Sequence, residues 1–379
     1  MTRFMLIAPL LAAVCLAQPA RPLFDGKTLK GWVNEGPAAT FTAADGELRT
    51  SGLGHAPNWL RTAEEFEDFR LTFEYKLDQW TEAAVIVRAP RTARPQHAGI
   101  TLVLTHDFHN ESTPHTTGAV LGVRAPEWKM PEAETWGRWR RVVIEARGTR
   151  FKASIDGHTV QDVDTSAVPA LAHRLRRGHI GFPDMGYSYA VRNVEITDLG
   201  RPTELVSLLA GQSLDTWTRR GDSGQWRVSG EGTVEGSNGH SILYAPGEFG
   251  DFEFTAAVRT HGRVNGGVFF RGDAAGARRG FEVQIYSPVD SVYPTGSVYG
   301  RARSRISADL EGRWFLLQVR VEGARVQVWI DGEPVAESNQ LPKELLAAGR
   351  IGLQIHSDKA TIEFRDLRVR TLESAGPVN

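Results

Sequence analysis

Between residues 265 and 356 the chain sets polar side chains at alternate positions of apolar runs, and those polar positions are where chemistry is sought. In a half-buried strand, residues of one parity enter the core and those of the other form an outer face. With Phe281, Val283 and Ile285 inward, Glu282, Gln284 and Tyr286 lie outward. With Ile351, Leu353 and Ile355 inward, Gln354 and His356 lie outward, and with Val268 and Phe270 inward, so do Phe269 and Arg271. The alternation from Trp314 to Ile330 adds Gln327 and Trp329. Arginine, carboxylate, amides, imidazole and aromatic rings on one face suit a sugar, which offers hydroxyls to bond and apolar ring faces to stack. The competing reading is an ordinary hydrated face, since antiparallel sheets commonly leave one side in water.

The elements that must position these residues are strands. Two-residue alternation rich in β-branched and aromatic residues runs through the chain, broken by Gly, Pro and Asp-Gly turns, as at Asp25, Asp45, Asp156 and Asp331. A series of landmarks also occurs twice in one order. LFDGKTLKGW from Leu23 matches LLAGQSLDTW from Leu208, and AAVIVR ending at Arg88 matches GGVFFR ending at Arg271. TGAVLG from Thr117 matches TGSVYG from Thr295, and GRWRRVVIEARGTRFKASIDG from Gly137 matches GRWFLLQVRVEGARVQVWIDG from Gly312. One structural unit is therefore used twice. The copies are expected at residues 21–199 and 205–372, with a linker near Asp198 to Glu204, each closing two packed antiparallel sheets.

Comparing the copies tests the polar face. Thr101 stands for Glu282, Val103 for Gln284, Leu121 for Tyr299, Pro183 for Gln354 and Met185 for His356, while Arg88 keeps the arginine of Arg271. Core parity persists and the polar set does not, which assigns a polar site to the second copy. The first copy has a histidine group of its own, His97, His106, Asp107, His109 and His115. Imidazole and carboxylate suit zinc or a similar ion, but these residues fall in a polar loop whose spacing fixes no ligand geometry.

Composition narrows the partners. Lys plus Arg (44) balances Asp plus Glu (45) to a formal charge of -1, which gives no basic field for nucleic acid or an anionic membrane. Arg174, Arg176, Arg177 and the Arg278, Arg279 pair read as solvated loop charges. At the N-terminus, Arg3 precedes an apolar run from Phe4 to Leu16, too short for a transmembrane helix and laid out as a signal peptide over residues 1–20, with the mature chain starting near Gln18. Export to the periplasm or beyond is expected. A lipid anchor on Cys15 fits less well, because Val14 occupies a position that prefers a small residue. Cys15 is the single cysteine, so the mature chain is expected to lack disulfides and thiol chemistry. No nucleophile elbow, phosphate loop or dinucleotide fingerprint occurs in a strand-to-helix context.

With LFDGKTLKGW in the first copy and NGGVFFR, GFEVQI, TGSVYG, WIDGE, GRIGLQIH and EFRDLRV in the second, the chain resembles the 3-keto-disaccharide hydrolase domain family. That resemblance implies an all-β fold of two tandem concanavalin A-like, jelly-roll type sandwiches. It also implies a secreted enzyme that cleaves glycosides whose sugar carries a ketone at C3, by hydrolysis or by elimination and hydration. A C3 ketone acidifies the hydrogen on C2, so a general base removes it and the enolate expels the C1 substituent. On that scheme Glu282 or His356 is the base, Arg271 stabilises the oxyanion and Tyr299 protonates the leaving oxygen. Gln284, Tyr286, Gln354, Trp329 and Gln327 would hold the sugar, and the degenerate first copy would support or extend the cleft. A divalent metal sharing the oxyanion role has no ligands that the sequence identifies. The alternative is a non-catalytic, lectin-like glycan-binding protein on the same fold.

Overall fold

The computed structural model describes residues 19–36, 40–53, 58–107, 111–200, 204–273, 275 and 280–372. The N-terminal run read as an export signal, His109 and the Arg278, Arg279 pair lie outside these residues. Each copy is a pair of antiparallel sheets around its own core. In the first, Phe69–Leu77 shows how the pattern dictates the layer: Phe69, Leu71, Phe73, Tyr75 and Leu77 are buried and the residues between them are not. That strand lies centrally in an 8-stranded sheet, which faces a 5-stranded sheet made of Trp32–Glu35, Trp59–Thr62, His179–Pro183, Glu82–Ala89 and Ile100–Thr105, in that order.

The second copy repeats the plan with longer strands. Thr233–Tyr244 and Arg350–Thr371 each run without interruption from one layer into the other, so eleven strands form one hydrogen-bonded system among the described residues. The C-terminal half of Thr233–Tyr244 and the N-terminal half of Arg350–Thr371 lie in the smaller layer with Thr218–Arg220, Asn265–Gly272 and Phe281–Tyr286. Their other halves join Phe252–His261, Phe315–Glu322, Arg325–Ile330 and Glu333–Ser338 in the larger layer. Separate hydrophobic cores fill the copies, one containing Phe69, Phe73 and Phe182 and the other Phe252, Phe254 and Phe270. Each buried ring of this kind contributes about 1.5–3 kcal/mol.

The copies meet asymmetrically. The outer face of the second copy's larger layer presses on the first copy: His173 stacks on Trp329 with ring centroids 5.0 Å apart, and Gln318 Nε2 donates to the His173 carbonyl at 2.6 Å. Arg91 reaches across to Asp366 at 2.9 Å, and Arg368 pairs with Glu65. Trp329 and Gln327 therefore do not join the outward residues of 265–356. Parity places them on the outer face of their own sheet, but that sheet is the opposite wall of the sandwich. No helix among the described residues is long and apolar enough to cross a membrane.

Candidate functional site

The outer face of the second copy's smaller layer is buried at its centre, at Phe269, Gln284 and Gln354, while Glu282 and Tyr286 are half-buried and His356 is exposed at its rim. Along Asn265–Gly272 every residue after Asn265 is buried, so this strand forms the recessed part of the floor. Strand register sets the floor out in rows. Phe269 lies opposite Glu282, Gly267 opposite both Gln284 and Gln354, and Asn265 opposite Tyr286. His356 follows two residues after Gln354 on the same face, and His240 lies across from it. The loop after Tyr286 closes one side with Tyr293 and Tyr299, whose rings are 5.1 Å apart. These side chains bound a cavity of about 420 Å³ that brings together Glu282, Gln284, Tyr286, Tyr299, Gln354 and His356.

Two local devices hold the cavity open. Gln284 and Gln354 are buried, and Gln284 Nε2 donates to Asn265 Oδ1 at 2.9 Å, which fixes that amide. The Tyr299 backbone N–H donates to the Glu282 carbonyl at 2.9 Å, so the loop carrying the phenol is registered against the strand carrying the carboxylate. Glu282 folds over Gly267: a Cβ there would lie 2.5 Å from Glu282 Oε1 and 2.9 Å from its Cγ. The carboxylate occupies the space that the missing side chain leaves. Glu282 is the single carboxylate among the described residues lining this cavity.

Arg271 is not part of it. It has a left-handed backbone with φ of 54°, at a bulge where the pairing of Asn265–Gly272 with Arg350–Thr371 shifts between Phe269 and Gly272. The bulge breaks the parity and turns the side chain away from the floor. Its guanidinium is fully buried and donates to the carbonyls of Gly250 at 3.0 Å, Gly323 at 2.7 Å and Leu345 at 3.0 Å, and to Asp251 at 3.0 Å. Arg88 repeats the arrangement at φ of 52°, donating to the Glu67 and Gly148 carbonyls and pairing with Asp68. The arginine common to both copies is a structural clamp on loop carbonyls.

The first copy has a cavity of about 280 Å³ at the same place. Its floor carries Trp59, Ile86, Thr101, Val103, Leu121, Pro183 and Met185, mostly apolar where the second copy is polar. Ala84 there replaces Gly267, and it lies opposite Val103 as Gly267 lies opposite Gln284. The histidine group is dispersed. His106 is buried between Trp80 and Trp136 and accepts from the Trp80 N–H, Asp107 accepts from the Thr117 N–H, and His97 and His115 reach the cavity rim. Among the described residues no three His, Asp, Glu or Cys side chains gather where they could hold a metal ion. Residues that strand parity did not single out are Asn265, Tyr293 and His240. Tyr293 sits in the loop just before the TGSVYG landmark, and that proximity is the signal that would have found it.

A tandem pair of concanavalin A-like sandwiches with a sugar-suited floor defines the class. The 3-keto-alpha-glucoside-1,2-lyase-like domain matches residues 19–197 and again 204–370, so the chain belongs to that carbohydrate-related family, twice over. Among solved structures, an inferred glycosyl hydrolase from Parabacteroides distasonis is 17% identical, covering 48% of this chain and 94% of its own, with a TM-score of 0.42. A second such protein from the same organism is 21% identical over 47% of this chain and 98% of its own, with a TM-score of 0.41. The carbohydrate-binding module CBM66 from Bacillus subtilis is 22% identical over 41% of this chain and 96% of its own, with a TM-score of 0.32. No curated protein sequence matches.

Proposed function

We propose that the second copy cleaves 3-keto-glycosides by elimination in the Glu282 cavity. The observation that carries this reading is Glu282, the one carboxylate among the described residues lining the cavity, with Tyr299, His356 and a fixed amide around it. The Glu282 carboxylate takes the proton from C2 of the sugar, and the electron pair moves into the C3 carbonyl to give an enolate. The pair then returns to form the C1–C2 double bond, and the C1–O bond breaks. The Tyr299 phenol gives its proton to the departing oxygen, which leaves as an alcohol. Water adding across the new double bond completes a net hydrolysis. With Arg271 committed to loop carbonyls, the donors left for the enolate oxygen are Gln284, Gln354 and His356.

The test is incubation of the purified protein with a 3-keto-glucoside and its unoxidised parent, following alcohol release. The expected result is release from the ketone alone, slowed by deuterium at C2. Equal rates on both substrates would overturn the scheme. Binding without turnover would favour the lectin-like reading, which the exposed Tyr299 beside Tyr293 also supports. The same proposal places the mature chain outside the cytoplasm, supported by the layout of the N-terminal apolar run.

A further inference from the structure

The cavity of about 280 Å³ in the first copy keeps its hollow while its chemistry is inverted. Its floor is the outer face of the smaller layer, set out in rows by strand register. Trp59 lies opposite Pro183, Gly181 opposite Ile86, Ile86 opposite Thr101, Ala84 opposite Val103, and Glu82 opposite Thr105. The central rows are apolar apart from Thr101, and Leu121 and Met185 add to the apolar lining. Polar groups stand at the ends, with Glu82 and Thr105 at one and Gln96 and His97 at the other.

Both ends are fixed. Thr101 Oγ1 donates to the Gln96 carbonyl at 3.0 Å, which holds the Pro95–Ala98 turn against the floor. Thr105 Oγ1 donates to the Thr81 carbonyl at 3.2 Å, beside Glu82. Trp59 is seated by Gly181, where a Cβ would lie 2.5 Å from the ring's Cε3 and 2.7 Å from its Cζ3. With Ile86 and Ala89 the indole forms a small apolar cluster apart from the main core.

This lining selects among ligands. A sugar ring would turn its hydroxyls toward Trp59, Ile86, Val103 and Leu121, and polar groups buried against apolar side chains are costly. An anion meets no Lys or Arg among the described residues lining the cavity, and it does meet the carboxylates of Glu82 and Asp184. A flat apolar ring, by contrast, packs well on an indole. The Met185 thioether, partly exposed at the mouth, is a flexible and polarisable neighbour for the edge of such a ring. A dry apolar cavity of about 150 Å³ takes one benzene ring, so about 280 Å³ admits two fused rings. The Glu82 carboxylate at one end can accept a hydrogen bond from a hydroxyl carried on them.

We propose that the first copy binds an uncharged hydroxylated aromatic molecule, a phenol of one or two rings, in the cavity floored by Trp59, Ile86 and Val103. This binding is independent of turnover at Glu282.

Calorimetric titration of the full chain with 2-naphthol, and with 2-naphthoate as the same ring system in anionic form, tests this. One 2-naphthol per chain is expected to bind, roughly tenfold or more tighter than 2-naphthoate. Val103→Gln places on this floor the side chain that the second copy carries there as Gln284, and is expected to weaken 2-naphthol roughly tenfold. Met185→Ala, at the partly exposed mouth, is expected to weaken it a few-fold with the melting temperature unchanged, and it carries the test alone if Val103→Gln does not fold. Glu282→Gln is expected to bind 2-naphthol as the wild type does. The absence of saturable binding, equal affinity for 2-naphthoate, or an affinity that the folded cavity variants do not lower would overturn the site. Loss of 2-naphthol binding in Glu282→Gln would also overturn it, by placing the ring in the second copy.

Discussion

A single hydrogen in place of a methyl sets the position of the candidate base. Glu282 Oε1 occupies the volume above Gly267, and the first copy has Ala84 there together with Thr101 in place of Glu282. Gly267→Ala would also bring its Cβ within 2.9 Å of the Val283 carbonyl oxygen, so the strands cannot absorb it without moving the carboxylate. Turnover of a 3-keto-glucoside is expected to fall about tenfold to a hundredfold through kcat, since a displacement near 1 Å in a reacting group costs on that order. Gly267→Ala added to Glu282→Gln should then cost nothing more, and an additive loss would show that Gly267 acts on something other than Glu282. Parity in the sequence was enough to place Glu282, Gln284, Tyr286, Gln354 and His356 on one floor. It failed at Arg271, because a bulge with one left-handed residue reverses every direction beyond it. The arginine's survival in both copies, when the rest of the polar set changed, was the legible sign of a structural role.

At the scale of the strand and turn, the Asp-Gly corners at Asp156 and Asp331 show how duplicated elements diverge electrostatically. Both aspartates have left-handed backbones, and each accepts a backbone N–H, from Arg141 and from Leu316 respectively, at 2.8 Å. Asp156 is also bonded to Arg140 Nη1 at 2.8 Å. The residue at Arg140's place in the second copy is Phe315, so Asp331 is buried without that cation and burial pushes its carboxyl up from 3.8 to about 6. A folded value above the unfolded one means that the native state holds the proton more tightly. The stability this supplies is full below about pH 4 and is lost as pH rises through about 6. Asp331→Asn keeps the acceptor and tolerates the left-handed backbone. It is therefore expected to leave the melting temperature unchanged near pH 4 and to raise it at pH 7.5, by on the order of 1–3 kcal/mol in stability. Calorimetry at the two pH values checks this, and a destabilised variant at pH 7.5 would contradict it. The hairpin leading to this corner also marks a limit of the sequence. Alternation gives the face of a strand within its sheet, but not which of two sheets receives the strand, so Gln327 and Trp329 were legible as outward and not as remote from Glu282.

For the whole molecule, duplication followed by divergence of the outer face of the smaller layer accounts for the arrangement. The landmark repeats made the two sandwiches legible, because each carries a full set of core positions. How the sandwiches meet was not legible: the contacts include long arginine side chains, a stacked His173–Trp329 pair and hydrogen bonds to backbone carbonyls, from surfaces that read as ordinary polar faces. Arg91 with Asp366, Arg368 with Glu65 and His173 on Trp329 engage the back of the second copy's larger layer. The Glu282 cavity lies on the smaller layer, and among the described residues its lining comes from the second copy. The near-neutral charge agrees with an uncharged ligand, which needs no steering field. The central claim, that one carboxylate in the second copy does the chemistry, is tested most directly by the initial rate of Glu282→Gln on a 3-keto-glucoside beside its melting temperature. A positioned base is worth about a hundred- to ten-thousandfold, so the rate should fall by that factor while the melting temperature holds, and Thr101→Ala in the first copy should leave the rate unchanged. A Glu282→Gln protein that turns over at the wild-type rate would contradict the account.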